Sequence, residues 1–202
     1  NMENIFNASW IKARKQNKNV VIDFEKCFET KPFPVKAELQ ISSLGVYSCE
    51  INGKRVTDSV LNPGWTDYNK RIQYQTYDVT DLVANGNNAI GVYLGHGWWD
   101  RALRNFGTRL HIYGKLLVEY TDGTSDVIVT DESWKFYRFC PILDDDIFNG
   151  FKFDGTVEEA LEGWNKPGFD DNKWETVKVS AANEIVSNKK TPVIIAQNIP
   201  LI

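Results

Sequence analysis

Short apolar runs separated by turn residues dominate the chain, and their period is two. Ala37, Leu39 and Ile41 alternate with polar residues, which predicts a strand with one face in the core and one in water. Helical periodicity is not sustained anywhere, and Gly, Pro and Asn recur between the runs. We therefore expect an all-β chain with only a few short helical turns.

Two Gly-containing dipeptides predict tight hairpins. Asn52-Gly53 lies between two alternating segments, and Asp122-Gly123 lies between the apolar runs Leu116–Tyr120 and Val127–Val129. Asn-Gly and Asp-Gly pairs readily adopt the positive φ angles that a two-residue turn between antiparallel strands requires. The sequence therefore predicts an antiparallel pair of strands at each position.

The stretch from residue 74 to residue 94 predicts a strand, one helical turn and a buried strand, in that order. A β-prone run ends before Thr80-Asp81, a short capped turn extends to Asn85-Gly86, and the apolar residues Ala89 to Leu94 follow. A last strand is expected from Trp174 to Val179. Such short strands pack as two sheets, so the predicted fold is an antiparallel β-sandwich, jelly-roll-like in type.

The composition fits one compact domain and excludes two classes of partner. The 202 residues are 42% hydrophobic, which is enough to form a sizeable core. The net charge is −4 with mixed signs and no basic run, so we expect no nucleic-acid partner and no binding to an anionic membrane. Every apolar segment is too short to cross a bilayer.

Two features of the chain point to an intracellular location. Asn1 precedes Met2, and the residues that follow, MENIFNASW, have neither the basic start nor the apolar run of a signal peptide. The three cysteines, Cys27, Cys49 and Cys140, are odd in number and widely spaced. This spacing predicts reduced, mostly buried thiols. We therefore expect a cytoplasmic protein.

The segment 63–99 carries the pattern of a known family. PGWTDYNKRIQYQTYDVTDL is followed after a short gap by NAIGVYLGHGWW. In this order the two motifs resemble the amino-terminal β-sandwich of bacterial α-L-rhamnosidases. DESWKFYRFCPILDDDIFNG and GWNKPGFDDNKWETVKV are similar to later parts of the same domain, so the resemblance covers residues 35–180.

This resemblance implies a galactose-binding-domain-like sandwich and three parts of the chain. Residues 1–34 would be a lead-in strand of the sandwich, residues 35–180 the rhamnosidase-type sandwich itself, and residues 181–202 a segment leading to a missing downstream domain. The resemblance also implies a longer, inverting glycosidase whose catalytic carboxylates lie in a later helical domain. Because no position here matches those carboxylates, we expect no catalytic residue in this chain.

The acidic residues and histidines of the chain agree with that expectation. A glycosidase needs two suitably spaced carboxyl groups. The clusters Asp144–Asp146, Glu158-Glu159 and Asp170-Asp171 lie in segments with the composition of loops or strand ends, where solvated charges are the simpler interpretation. His96 and His111 belong to no catalytic motif.

Two aromatic stretches offer the chemistry of a sugar site. Sugars stack their apolar faces on aromatic rings while carboxylates, amides and Arg side chains hydrogen-bond the hydroxyl groups. The alternative is that the Trp side chains close the end of the sandwich as core residues. The candidate carbohydrate-binding residues are Trp98, Trp99, Asp100 and Arg101 in one stretch and Trp65, Asp67 and Asn69 in the other. Further aromatic residues are expected to pack in the core or across strands: Tyr74, Tyr77, Trp134, Trp164 and Trp174.

No cofactor is expected, with one open exception. Asp144, Asp145, Asp146 and Asn149 offer oxygen ligands of the kind that Ca²⁺ selects. Their spacing does not match an EF-hand, and successive residues of a strand point to opposite faces. A solvated loop is the alternative to a Ca²⁺ site.

Three functions remain open from the sequence. The first is a non-catalytic accessory domain that supports the catalytic domain of the same α-L-rhamnosidase chain. The second is a module that binds a rhamnose-containing carbohydrate through the stretch from Trp98 to Arg101. The third is the sugar-binding sandwich of another glycoside hydrolase, such as a β-galactosidase relative. An exposed apolar patch would favour the first, and an aromatic and charged rim over a pocket the second.

Overall fold

The fold is a β-sandwich, as the apolar alternation predicts. A computed structural model describes residues 6–14, 21–58, 70–95, 109–137, 142–146, 150–153, 163, 165–182, 184–185 and 192–197. The described elements are β1 (Trp10–Lys12), β2 (Ile22–Thr30), β3 (Pro34–Leu44), β4 (Val46–Ile51), β5 (Lys54–Arg55), β6 (Arg71–Asp78), a 3₁₀ turn (Thr80–Leu82), β7 (Gly86–Gly95), β8 (His111–Tyr120), β9 (Ser125–Val129), β10 (Lys135–Tyr137), β11 (Ile142–Asp146), β12 (Gly150–Phe153), β13 (Glu175–Thr176), β14 (Lys178–Ser180) and β15 (Val193–Ala196).

These strands form two large sheets and one small ribbon. One sheet has the order β14-β1-β8-β3-β6-β15, with β9 also paired to β8. The other has the order β13-β10-β2-β7-β4-β5, and β11 pairs with β12. Among the described residues, the main hydrophobic core includes Leu39 and Ile112 from the seven-stranded sheet and Phe24 and Val92 from the six-stranded sheet. In the described part of the chain, no helix is long and apolar enough to cross a membrane.

Strand β3 confirms the alternation that predicted it. Ala37, Leu39 and Ile41 are buried, while Glu38 and Gln40 between them are half-buried. Leu39 lies opposite Leu116 of β8, and the two strands pair along their whole length. The period of two therefore reports the core face of the seven-stranded sheet.

Both predicted hairpins are present. Asn52 and Gly53 have φ angles of 52° and 80°, and the turn joins β4 to β5. The Asn52 side chain also accepts a hydrogen bond from the Ala89 amide at 2.9 Å and donates one to the Leu82 carbonyl at 2.9 Å. Gly123, with φ 82°, makes the turn between β8 and β9. The Asn52 turn therefore also fixes the segment between the 3₁₀ turn and β7.

The predicted helical turn is the 3₁₀ turn at Thr80–Leu82. The carboxylate of Asp78 accepts hydrogen bonds from the Thr80 amide at 3.0 Å and from its hydroxyl at 2.5 Å. These bonds lower the pKa of Asp78. Gly86 then starts β7 with φ 82°.

Most of the aromatic packing predictions hold. Trp134 and Trp174 are buried, and Tyr74 packs against the core. The Tyr77 hydroxyl lies 2.8 Å from the hydroxyl of Tyr47, so these two tyrosines connect the two sheets. Trp164 lies outside the described residues.

The cysteine prediction is half right. Cys49 is buried in the core, whereas Cys27 is a free, exposed thiol. Cys27 lies on β2 opposite Ala89, three residues after the buried Phe24, so it belongs to the outward face of the sheet. Cys140 and His96 lie outside the described residues.

The last part of the chain contributes strands to both sheets. Within the predicted strand Trp174 to Val179, β13 pairs with the six-stranded sheet and β14 with the seven-stranded sheet, and the buried Val177 lies between them. In the predicted lead-out segment, β15 pairs parallel to β6 along residues 193–196. The sandwich is therefore antiparallel except at this edge.

Candidate functional site

The predicted sugar-binding residues lie in two stretches whose flanking strands are described. Trp65, Asp67 and Asn69 fall in residues 59–69, and Trp98, Trp99, Asp100 and Arg101 fall in residues 96–108, all outside the described residues. The first stretch leads to β6, which begins at Arg71. The second connects the end of β7 at Gly95 to β8, which begins at His111.

The register brings these strand ends together. Leu44 lies opposite His111, Val46 lies opposite Gly95, and the Ser42 hydroxyl donates a hydrogen bond to the Gln73 carbonyl close to the start of β6. All three strand ends therefore lie at one end of the sandwich, next to Gly45. We call it the loop end. The two aromatic stretches, which are distant in sequence, are attached to the same end.

Gly45 connects the two sheets at the loop end, between β3 and β4. It has φ 124°, and a Cβ on this residue would lie 2.4 Å from the Gly95 carbonyl oxygen and 2.9 Å from Leu110 Cδ2. The Ser43 hydroxyl donates to the Gly45 carbonyl at 2.7 Å. A side chain would therefore push against the last residue of β7, where the stretch 96–108 starts.

We expect Gly45→Ala to destabilise the protein much more than Gly86→Ala. Gly86 also has a positive φ, 82°, but no atom lies within 4 Å of the added Cβ, so its replacement adds backbone strain alone, about 1 kcal/mol. At Gly45 the methyl group also overlaps backbone, which should bring the loss to roughly 3 kcal/mol. Urea unfolding of both variants measures the difference. Equal losses would show that Gly45 is only a turn residue.

Aromatic side chains and one histidine pack beside the loop end. Tyr113 stacks on Trp10 with ring centroids 4.8 Å apart and on Phe6 at 4.9 Å. His111 is buried; its Nε2 lies 3.0 Å from the Ser180 hydroxyl and its Nδ1 3.0 Å from the Arg109 carbonyl oxygen. Burial lowers the pKa of His111 to about 3. This histidine is therefore a neutral packing residue, in agreement with its lack of a catalytic motif.

A buried acid lies on the outward face of the six-stranded sheet, and no pattern in the sequence predicts its burial. Glu25 is only 2% exposed and lies on β2 opposite Gly91 and Lys135. Burial, together with a hydrogen bond to Asp171, raises its pKa to about 8. The same hydrogen bond and Lys135 Nζ, 2.9 Å from Asp171 Oδ1, lower the pKa of Asp171. Glu25 and Asp171 thus share a proton at neutral pH.

The segment 165–174 covers this acid pair. Trp174 stacks on Tyr137 with centroids 5.5 Å apart, and Phe169 contacts Trp174 edge-on at 5.9 Å. Asn165 donates a hydrogen bond to Glu50 on β4, two strands away from β2 in the same sheet. A pKa near 8 would suit a general acid, but the proton of Glu25 is in the hydrogen bond with Asp171 within the fold. Of the predicted surface charges, Asp170 is exposed, as expected. Asp171 instead attaches segment 165–174 to the sheet through its bonds to Glu25 and Lys135.

We expect the stability of the protein to fall as pH rises between about 4.5 and about 8 because of Glu25. Its pKa is higher in the folded chain, about 8, than the ordinary value of 4.5. Its stabilising contribution is therefore complete below pH 4.5 and is lost as pH rises through 8. Glu25→Gln, which keeps a donor towards Asp171, should flatten the dependence of the melting temperature on pH in this window.

Glu29→Gln, an exposed change on the same strand, is the matched control and should retain the wild-type dependence. Parallel pH curves for the wild type and Glu25→Gln would contradict the shared proton.

The three aspartates proposed as Ca²⁺ ligands lie in a strand. Asp144, Asp145 and Asp146 belong to β11 and pair with residues 150–152 of β12, so the expectation of a loop is corrected. Asn149 lies outside the described residues. Among the side chains that the structure describes, no group of three or more His, Cys, Asp or Glu residues is placed to hold a metal ion. A Ca²⁺ site at Asp144–Asp146 stays a prediction.

Comparison with known proteins identifies the family. Residues 33–197 match the family model of the α-L-rhamnosidase N-terminal domain. An α-L-rhamnosidase of Streptomyces avermitilis is 41% identical over 175 residues, which are 82% of this chain and 16% of that protein. Another from Alteromonas sp. is 33% identical over 161 residues, 77% of this chain and 17% of that protein.

Solved structures agree. The α-L-rhamnosidase of Dictyoglumus thermophilum superposes with a TM-score of 0.84 at 32% identity, over 96% of this chain and 22% of that one. The Streptomyces avermitilis enzyme complexed with L-rhamnose gives 0.79 at 36%, over 89% and 17%. The chain thus spans about a fifth or less of the relatives it matches. It belongs to the α-L-rhamnosidase N-terminal domain family.

Proposed function

We propose that this chain is a non-catalytic accessory domain of an α-L-rhamnosidase and that it supports the catalytic domain of the same chain. The observation that carries this proposal is the match of residues 33–197 to an N-terminal domain, in relatives of which the chain spans only 16% to 17%. The substrate of the whole protein would be a rhamnose-containing carbohydrate, and the cytoplasmic location stays a prediction from the sequence.

The chemistry of the pair Glu25 and Asp171 supports a non-catalytic role for these two acids. Glycosidases use two carboxyl groups that face the substrate from either side of the scissile bond, about 5 to 9.5 Å apart. Glu25 and Asp171 hydrogen-bond each other directly, which leaves no room for a sugar between them. Glu25 is also buried, so it cannot reach a substrate.

We expect the 202-residue chain not to hydrolyse an aryl α-L-rhamnoside, whereas the full natural chain that contains it should. Deletion of residues 1–197 from the full chain should lower the melting temperature of the remainder by several degrees, because an interface loses its partner. The KM of the remainder for the small aryl substrate should stay unchanged, since this domain adds no group to the active site. The measurements are a chromogenic assay and calorimetry.

Hydrolysis by the 202-residue chain would overturn the non-catalytic assignment. A remainder that is as stable without this domain as with it would overturn the supporting role.

Carbohydrate binding at the loop end is the second candidate. It is favoured by the register, which attaches the stretches containing Trp65 and Trp98 to the same end of the sandwich. A site made by two such stretches would combine aromatic rings with Asp, Asn and Arg side chains, as sugar recognition requires. The match to the enzyme complexed with L-rhamnose makes rhamnose the first sugar to test.

We expect saturable heat when this chain is titrated with L-rhamnose but not with D-galactose, if the loop end binds sugar. Trp99→Ala should abolish the heat and leave the melting temperature nearly unchanged, because a binding residue contributes little to the core. Phe33→Ala is the matched control, since it removes another aromatic ring, 67% exposed, away from this end. Titrations with Ca²⁺ and with a chelator test the metal.

If the folded protein gives no binding heat with either sugar, carbohydrate binding at the loop end is ruled out. A loss of several degrees in Trp99→Ala would make Trp99 a core residue.

A further inference from the structure

Phe33 is an exposed aromatic residue in a backbone conformation that is unfavourable for its residue type. It has φ 64°, the left-handed region that side chains other than Gly, Asn and Asp rarely adopt. Its side chain is nevertheless 67% exposed, and Val35, two residues later, is 51% exposed. We call these two residues the Phe33 patch.

Neighbouring groups hold the backbone of Phe33 in this conformation. Its amide donates to Asn85 Oδ1 at 3.2 Å, and its carbonyl accepts from the Thr121 amide at 3.4 Å. Two residues earlier, the Lys31 amide donates to the Tyr120 hydroxyl at 3.1 Å. The Lys31 ammonium lies 4.7 Å from the centre of the Tyr120 ring. Hydrogen bonds therefore hold the backbone of the turn between β2 and β3, while the ring of Phe33 stays exposed.

The Phe33 patch lies at the end of the sandwich opposite the loop end. Pro34 pairs with Tyr120 at the end of β8, whereas Leu44 pairs with His111 at its start. Charged residues surround the patch, since Lys36 lies opposite Glu119 and Lys31 Nζ donates to the Thr124 hydroxyl at 2.8 Å. An apolar centre with a charged rim is the usual composition of a protein–protein contact.

The direction of β15 indicates what covers the patch. β15 runs parallel to β6, from Arg71 towards Tyr74, and the Gln197 amide continues the pairing with the Tyr74 carbonyl at 2.9 Å. Because β6 runs away from the loop end towards Asp78, opposite Glu38, β15 also runs in the direction from the loop end to the end that carries Phe33. The part matched here covers only 16% to 17% of the relatives, so most of each relative lies outside it.

We propose that the Phe33 patch is the docking surface for the domain that follows this one in the longer chain. The inference rests on the proposed accessory function and names the surface through which it acts. The strained conformation of Phe33 weakens the isolated domain slightly, and contact with the next domain compensates for it. Without such a partner, an exposed aromatic ring at this position would favour aggregation.

The test compares Phe33→Asn in the 202-residue chain and in the full natural chain. Asn tolerates the left-handed region, so the melting temperature of the 202-residue chain should be unchanged or higher by roughly 2 °C. In the full chain the same substitution should lower the melting temperature of this domain by a few degrees and speed amide hydrogen exchange at residues 31–36. Phe33→Tyr should behave as wild type, because it keeps the ring.

Val179→Thr is the control, since Val179 is also exposed but lies on β14, at the edge of the sheet opposite β15. It should have the same effect in both chains. Equal effects of Phe33→Asn on the melting temperatures of the two chains would overturn the docking surface. The same conclusion would follow if the full chain showed the same hydrogen exchange at residues 31–36 with and without Phe33→Asn. If deletion of the domain still destabilises the remainder, only the docking surface is wrong. A natural chain that ended within this domain would overturn both proposals.

Discussion

The crossing of the chain at Gly45 is the constraint on which the two sheets depend. β3 ends in the seven-stranded sheet at Leu44, and β4 begins in the six-stranded sheet at Val46. One residue therefore makes the passage between layers, with a φ of 124° and with no room for a Cβ beside the Gly95 carbonyl. Only glycine combines that conformation with so close an approach. The end of β7 and the start of β8 are positioned by the same contact.

The local features of the fold could be predicted from the sequence because their causes are local. Asn52-Gly53 and Asp122-Gly123 supply positive φ angles wherever they occur, and the alternation around Leu39 needs only one buried face. Family resemblance added the type of sandwich, and the match of residues 33–197 confirms it. The role of Gly45 could not be predicted, because the atoms that exclude a side chain there belong to β7 and to Leu110.

The same distinction explains what was missed at the chemical sites. Glu25 has an unremarkable sequence context, and it is buried only because Asp171 and Trp174, about 150 residues later, cover the outward face of the sheet. Cys27 lies two residues further along the same face and is exposed. Composition identified the aromatic stretches around Trp65 and Trp98 as candidates for sugar binding, but only strand register shows that both are attached to the loop end.

The two ends of the sandwich differ in a way that separates the two candidate roles. At the loop end the described aromatic rings, such as Tyr113 and Trp10, are buried and stacked on one another, so they consolidate the core at that end. At the opposite end, Phe33 is exposed although its backbone is strained. An exposed ring on a strained backbone contributes little to the stability of its own domain, whereas a contact with a neighbouring domain would offset the strain. Sugar recognition and support of a catalytic domain can therefore occupy opposite ends of one rigid sandwich without competing for the same residues.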